Sequence, residues 1–353
     1  MKKLYLAPLE GVTDSIYRNT FCKYYGGVDK VYTPFISPNS TFKFTTREFK
    51  DIDPDKNDVN ITVPQLLTNN EDHFLWAAAE IAALGFKEIN FNLGCPSGTV
   101  VAKKKGSGLL YYPEELDMML DSVFNRLETE CAIKNSKVPN ISIKTRLGKV
   151  EPEEFYEILG IYNKYPISEL TIHPRIQSDF YKEPIRMEFF DYAMDNSKHP
   201  IVYNGDLTSV NDIKLIEEKY PNVNAIMLGR GLISNPELAL NYNNHDDRLG
   251  LDLEKFKKFH DELLNQYIDI LSGEKPVLHR MKEFWSFWQS NFNDCEKAIK
   301  KIRKANKIQE YKDYVALLLN NYWLTAIASG ATIASFAIAF VIIPPLSQIG
   351  QTS

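Results

Sequence analysis

Short apolar runs rich in β-branched residues alternate with amphipathic stretches along the first 240 residues. Residues 4–7, 28–35, 61–63, 88–92, 141–144, 170–173, 201–203 and 225–228 each have the length and composition of a buried strand. Between them the period changes to that of a helix. In 71–84 the apolar stripe is Phe74, Leu75, Ala78, Ile81 and Ala82, with Gly85 as a stop. A long helix over 113–133 opens on Pro113 with Glu114 and Glu115 in its first turn, a favourable N-terminal arrangement. Further helices begin at Pro152 and cover 209–219. A first helix follows Gly11, with Thr13 or Asp14 as its N-cap. Residues 36–58 are polar and less regular. Alternation of strand and helix predicts an α/β fold with a helix-covered parallel sheet, and eight such units predict closure into a (β/α)8 TIM barrel over 1–240.

The pattern then changes. Phe256, Phe259, Leu263, Leu264, Tyr267 and Ile268 stripe one helix; Met281, Phe284, Trp285 and Trp288 stripe another; Cys295, Ile299 and Ile302 belong to a third. This predicts an all-helical domain over 250–313, with the aromatic stripe as its core. Residues 314–353 carry no charge. Within them, 323–343 is apolar and long enough to span a bilayer, the alternative being a helix packed on the protein.

Composition adds limits. The chain of 353 residues has a formal net charge of −5, which argues against a general affinity for nucleic acid. Locally the balance reverses: 296–312 holds seven basic residues against Glu296 and Glu310. Four widely spaced cysteines suggest neither a disulfide framework nor metal-ligand spacing, and fit a reducing compartment. The N-terminal apolar run ends at Pro8, too early for a signal peptide. A cytoplasmic protein is expected, with 323–343 as the segment that would attach it to a membrane. No obligate protein partner is evident.

Seven polar residues lie at or just beyond strand C-termini: Gln65, Asn92, Cys95, Lys144, His173, Asn204 and Arg230. In a barrel these ends converge on one mouth. Cys95 sits between Gly94 and Pro96, with Lys103–Lys105 and the glycine-rich 106–110 beyond. A nearby lysine would lower its thiol pKa, whereas a lone cysteine can equally be an inert small hydrophobe. Asn204-Gly205-Asp206 and Gly229-Arg230-Gly231 follow the last two strands, the usual phosphate address of such barrels. Lys144 suits the electron-rich N1/C2=O edge of a reduced flavin, His173 a ring oxygen or phosphate, and Gln65 the ring's amide-like edge. Without a G-x-G-x-x-G fingerprint, FMN is favoured over FAD. His173 has no partner at ligand spacing, so no metal is expected.

The chain resembles the tRNA-dihydrouridine synthases of the bacterial FMN-dependent type. The motifs are Ala7-Pro8-Leu9-Glu10-Gly11-Val12-Thr13-Asp14, Asn92-Leu93-Gly94-Cys95-Pro96 with Val100 and 106–110, Ile143-Lys144-Thr145-Arg146-Leu147-Gly148, Thr171-Ile172-His173-Pro174-Arg175, Asn204-Gly205-Asp206 and Gly229-Arg230-Gly231. They occur in family order over residues 4–312. Pro174 departs from a glycine common there, Glu10 replaces an alanine frequent in some subgroups, and the uncharged tail lies outside the pattern. The resemblance implies reduction of the C5=C6 bond of particular tRNA uridines by FMN, itself reduced by NADPH. Cys95 would be the general acid. Pro8, Leu9, Glu10, Gly11, Gln65, Lys144, His173, Asn204, Gly205, Asp206, Gly229 and Arg230 would hold FMN. Asn92 would orient the uracil, with Lys103, Lys300, Lys301 and Lys304 as RNA contacts, Arg175 as a contact to either flavin phosphate or RNA, and the helical domain helping to hold tRNA. A flavin reductase of small molecules and a non-catalytic RNA-binding protein remain the alternatives.

Overall fold

The structure is a computed structural model that describes residues 1–246 and 251–328, with 321–328 as backbone. Eight strands form a closed parallel barrel in sequence order: β1 (Lys3–Leu6), β2 (Lys30–Ile36), β3 (Thr62–Leu66), β4 (Glu88–Leu93), β5 (Asn140–Gly148), β6 (Leu170–Ile176), β7 (Ile201–Asn204) and β8 (Ala225–Leu228), with β8 pairing β1. The expected (β/α)8 architecture is therefore present. The chain divides into two compact units. The first comprises 1–15, 28–207 and 214–229 and contains every strand; the second takes in 16–27, 208–213 and the chain from Arg230 onward.

Two prolines inside strands explain local irregularity. Proline has no N–H to give a ladder. The β2–β3 register shifts between Tyr32 and Phe35, around Pro34. There the backbone N–H of Gln65 donates to Thr33 Oγ1 at 3.0 Å instead. The β5–β6 register shifts between Arg146 and Gly148, opposite Pro174. Both strands run longer at their C-terminal ends than the apolar pattern predicted, because Arg146 and Arg175 continue them.

Side chains alternate across a strand, so register fixes what faces the barrel interior. One side of that interior is apolar: Tyr5, Ala7, Tyr32, Val63, Val202, Ala225 and Met227, with Leu9 against them. The other is polar. Asn90 lies opposite Ser142 and Asn92 opposite Lys144 across β4–β5; Lys144 lies opposite Thr171 and Arg146 opposite His173 across β5–β6. The intervening residues Ile89, Phe91, Leu93, Ile141 and Ile143 are buried on the other face, where Phe74 of the helix Glu71–Ala83 packs on Phe91 with ring centroids 4.9 Å apart.

Residues 36–58, less regular by their pattern, contain a helix, Thr46–Ile52, started by a capping box in which Thr45 and Glu48 satisfy each other's backbone N–H groups. Of the two N-cap candidates, Asp14 is the residue that directly precedes the helix Ser15–Tyr24, while the Thr13 hydroxyl accepts from Leu9 N at 2.8 Å and donates to Leu9 O.

In the second unit, the helices Leu253–Ile270, Glu274–Trp288 and Glu296–Lys304 are followed by Ile308–Ala328. Phe256, Phe259, Phe284, Trp285 and Trp288 are fully buried, so the aromatic stripe is core. Tyr17, from the helix Ser15–Tyr24, stacks on Phe284 at 5.2 Å and meets Phe259 edge-on at 5.9 Å. Among the described residues no helix is long and apolar enough to cross a membrane. The side chains of 323–343, the expected spanning segment, lie outside the described residues.

Candidate active site

Cys95 lies two residues past β4, half-buried, with its backbone held from both sides. The Asn92 side-chain oxygen accepts from Gly94 N at 3.0 Å and Cys95 N at 2.9 Å. The Cys95 carbonyl accepts from Ser107 Oγ at 2.7 Å and Ser107 N at 3.2 Å. Gly106 makes this fit possible. It adopts φ +57°, and a Cβ there would stand 2.9 Å from Cys95 O and 3.0 Å from Cys95 Cβ. Gly106→Ala should therefore displace Cys95 and cost about 1–2 kcal/mol from the left-handed backbone alone. Thermal unfolding and site-resolved alkylation of Cys95 test this; wild-type values in both would show that the loop absorbs the methyl group.

The thiol pKa is raised, not lowered as Lys103–Lys105 suggested. Burial pushes it up and outweighs the Ser97 backbone N–H and the positive Arg146 and Lys144, which pull the other way. The loop lysines are otherwise engaged. Lys104 pairs with Glu115 at 2.6 Å and Lys105 reaches Ser37 Oγ at 3.3 Å. Lys103 is exposed.

Lys144 has no carboxylate or hydrogen-bond partner among the described residues. Burial lowers its pKa to about 7, helped by the like charge of Arg146. Gln65 donates from Nε2 to Asn90 Oδ1 and accepts at Oε1 from Asn92 Nδ2, both at 2.7 Å. One N–H and one lone pair of its amide are left over from these two bonds.

His173, Arg175 and Asp206 form one cluster. Arg175 is buried and donates to both Asp206 oxygens, and to His173 Nε2 at 3.2 Å. A guanidinium only donates, so Nε2 accepts and the imidazole proton sits on Nδ1. Tyr181 stacks on His173, centroids 6.0 Å apart. Of the phosphate-end residues, Asn204 donates to Met227 O at 2.8 Å, linking β7 to β8. Gly205 lies under Ile185, whose Cδ1 would be 2.2 Å from an added Cβ. At Gly229 an added Cβ would meet only Ala7 and Leu9 side chains, at 3.6 and 3.9 Å. Arg230 opens the helix Arg230–Ser234 and belongs to the second unit. In the β1 loop, Pro8 follows the strand, Leu9 is tied to Thr13, Gly11 takes φ +77°, and Glu10 pairs with Arg47 at 2.7 Å.

Several further side chains shape the site without a motif of their own. Arg146 is buried and its guanidinium donates to three carbonyls: Gly94 at 3.2 Å, Ile176 at 2.7 Å and Phe180 at 2.7 Å. Gln177 Nε2 donates to Pro96 O at 2.9 Å. The loop carrying Cys95 is thus braced against the loop after β6. Alternation from Lys144 would have placed Arg146 on the same face; nothing local pointed to Gln177 or Tyr181.

The remaining candidates, Lys300, Lys301 and Lys304, are exposed on the second unit. With Lys297, Glu310 and Tyr314 they line a cavity of ≈ 390 Å³.

Among relatives, the chain is 25% identical over 326 residues to a tRNA-dihydrouridine(16) synthase of Neisseria meningitidis serogroup B, covering 89% of this chain and 94% of that protein. It is 31% identical to a tRNA-dihydrouridine(16) synthase of Pseudomonas putida, over 67% of this chain and 71% of that one. Its fold is similar to that of histamine dehydrogenase from a Rhizobium species, with TM-score 0.52 and 12% identity over 73% of this chain and 49% of that one. The family model for dihydrouridine synthase (Dus) matches residues 5–321, and the chain therefore belongs to this family of flavin-dependent oxidoreductases.

Proposed function

We propose that this protein reduces the C5=C6 bond of specific uridines in tRNA, with FMN as its flavin, NADPH as the reductant and Cys95 as the general acid. The observation that carries the reading is a half-buried thiol, held by its backbone, near a half-buried lysine that has no carboxylate partner among the described residues. The family membership and the relatives' names supply the substrate class.

The donor set fits a flavin. A Lys144 ammonium without a carboxylate partner among the described residues suits an electron-rich ring edge, and the amide valences left on Gln65 suit a neighbouring donor–acceptor pair. Pro8–Gly11, His173, Asn204–Asp206 and Gly229 would complete the cradle. When bound, FMN supplies the hydride that uracil C6 receives. Cys95 then gives its Sγ proton to C5 and regains one from water. Asn92, whose oxygen holds the Cys95 backbone, keeps one N–H for the uracil. Arg175 acts from behind, holding His173 and Asp206 in place.

The target base must leave its stack, at a cost of a few kcal/mol. Phosphate contacts offset it, with Lys103 and the Lys300–Lys301–Lys304 groove as the cationic surfaces. Neutralising those three groove lysines together should weaken tRNA binding and reduce the slope of log K against log salt by roughly 0.7–0.9 for each phosphate they neutralise in the wild type. An unchanged slope would make them ordinary solvated surface.

The direct test is nucleoside mass analysis of tRNA after incubation with protein, FMN and NADPH. A gain of two hydrogens on uridine is expected. Flavin bound and NADPH consumed without that gain would point to a small-molecule reductase.

A further inference from the structure

A line of hydrogen bonds runs through the barrel interior from the first residues of β2 and β4 to Cys95. Lys30 Nζ pairs with Glu88 Oε2 at 2.7 Å. Glu88 Oε1 accepts from Ser142 Oγ at 2.7 Å. Ser142 Oγ accepts from Asn90 Nδ2 at 2.9 Å. Asn90 Oδ1 accepts from Gln65 Nε2 at 2.7 Å, and Gln65 Oε1 from Asn92 Nδ2 at 2.7 Å. Asn92 Oδ1 accepts from the backbone N–H groups of Gly94 and Cys95. Asn90, Gln65 and Ser142 are each no more than 1% exposed, so water cannot easily substitute for a missing partner.

Each end of this line has only one possible role. A carboxylate accepts and a backbone N–H donates. Three amides and one hydroxyl lie between, and each can face either way. With Glu88 ionised, Ser142 must donate to it and accept from Asn90. That forces the Asn90 carbonyl toward Gln65, the Gln65 carbonyl toward Asn92, and the Asn92 carbonyl toward Cys95 N–H. The two ends demand the same polarity, and every link obeys it.

We infer that Glu88 and Ser142 are positioning residues for Cys95: the ionised Glu88 sets the orientation of Asn90, Gln65 and Asn92, and so the place of the Cys95 backbone. Neither touches the reacting atoms. The catalytic consequence rests on the reading of Cys95 as the acid; the orientational one does not.

Glu88→Gln tests this without changing shape. Lys30 only donates, so the new carbonyl turns to Lys30 and the new NH2 to Ser142. The polarity is then no longer dictated: either Ser142 Oγ accepts from both the new NH2 and Asn90 and its own O–H loses its buried partner, or every amide above reverses and the Asn92 NH2 meets the N–H groups of Gly94 and Cys95, donor against donor. Either way a donor loses its acceptor. Expected are a changed rate of Cys95 alkylation by iodoacetamide, read by site-resolved mass spectrometry, and a loss of uridine reduction of about ten- to a hundredfold, the scale of a small misplacement of reacting groups. Ser142→Ala should act in the same direction and Ser142→Thr should restore the wild-type values, which carries the test if Glu88→Gln fails to fold. Added to Cys95→Ala, Glu88→Gln should cost a smaller fold-loss than in the wild-type background, since the share of its effect that runs through the thiol is already gone and only that through Gln65 and Asn92 is left. An equal fold-loss in both backgrounds, or wild-type alkylation and turnover in Glu88→Gln, overturns the inference. If Cys95→Ala itself keeps full turnover, the acid role fails, and alkylation in Glu88→Gln alone decides the positioning role.

Discussion

Replacing Cys95 by alanine is expected to leave the flavin and tRNA bound while lowering uridine reduction by about a hundredfold or more, the range for loss of a positioned general acid. The change removes only Sγ. The backbone stays between Asn92 and Ser107, because those bonds run to Cys95 N and O. The pH dependence is a sharper reading. A general acid works while it holds its proton. Burial raises the thiol above its ordinary range, so the wild-type rate in a single turnover of reduced enzyme with tRNA should be flat through neutrality and fall only above the usual thiol pKa. A fall that begins near pH 7 and persists in Lys144→Met, where the lysine depressed to about 7 is gone, would mean that another group, not a neutral Cys95, supplies the proton. Cys95→Ser should stay well below wild type, since a hydroxyl is a far weaker acid of similar shape.

Lys144→Met is expected to slow flavin reduction by NADPH about a hundredfold, as when one preorganised charge partner is removed from a site of developing charge. The flavin potential should fall with it, because the cation favours the reduced form. The flavin-free chain gives an independent reading with the opposite sign. Its Lys144 pKa is depressed from 10.5 to about 7, so between those values the unfolded chain binds a proton that the folded chain does not. Lys144 therefore destabilises the fold most at and below about pH 7, and the burden fades as pH rises toward 10.5. Lys144→Met should raise the thermal midpoint of the flavin-free chain at pH 7 and lose that advantage near pH 10. Equal midpoints for the two proteins at pH 7 would mean that Lys144 is better solvated, or paired, than its surroundings indicate.

Much of this was legible in the residues. The eight strands are short apolar runs whose period is unmistakable, and a polar residue just past such a run has few places to point except the barrel mouth. Lys144, Gln65 and Asn92 follow from that geometry. What escaped depends on long-range placement. Whether Lys103–Lys105 lower the Cys95 thiol depends on where their ammonium groups go, and Glu115 and Ser37 claim two of the three. Arg175 reads as a free cation beside His173, yet Asp206, 31 residues later, takes both arms of its fork. The short helix at 46–52 was recoverable: Thr45-Thr46-Arg47-Glu48 is a capping-box sequence, hidden by the polar segment around it. Glu88 has the appearance of a solvated charge at a strand start, and its link to Cys95 exists only through register across three strands.

The second unit draws its core from both ends of the chain, which gives synthesis on the ribosome a particular order. Thr20 and its partner Gln266 are 246 residues apart, and Tyr17 waits for Phe259 and Phe284. At about 5–20 residues per second, roughly 10–50 s pass between the emergence of these partners. Through that interval the nascent chain carries the aromatic face of its first helix uncovered, including Phe21, which is fully buried in the finished protein. A chaperone that binds short apolar segments has its natural client there, and a gene truncated after β8 makes that transient exposure permanent.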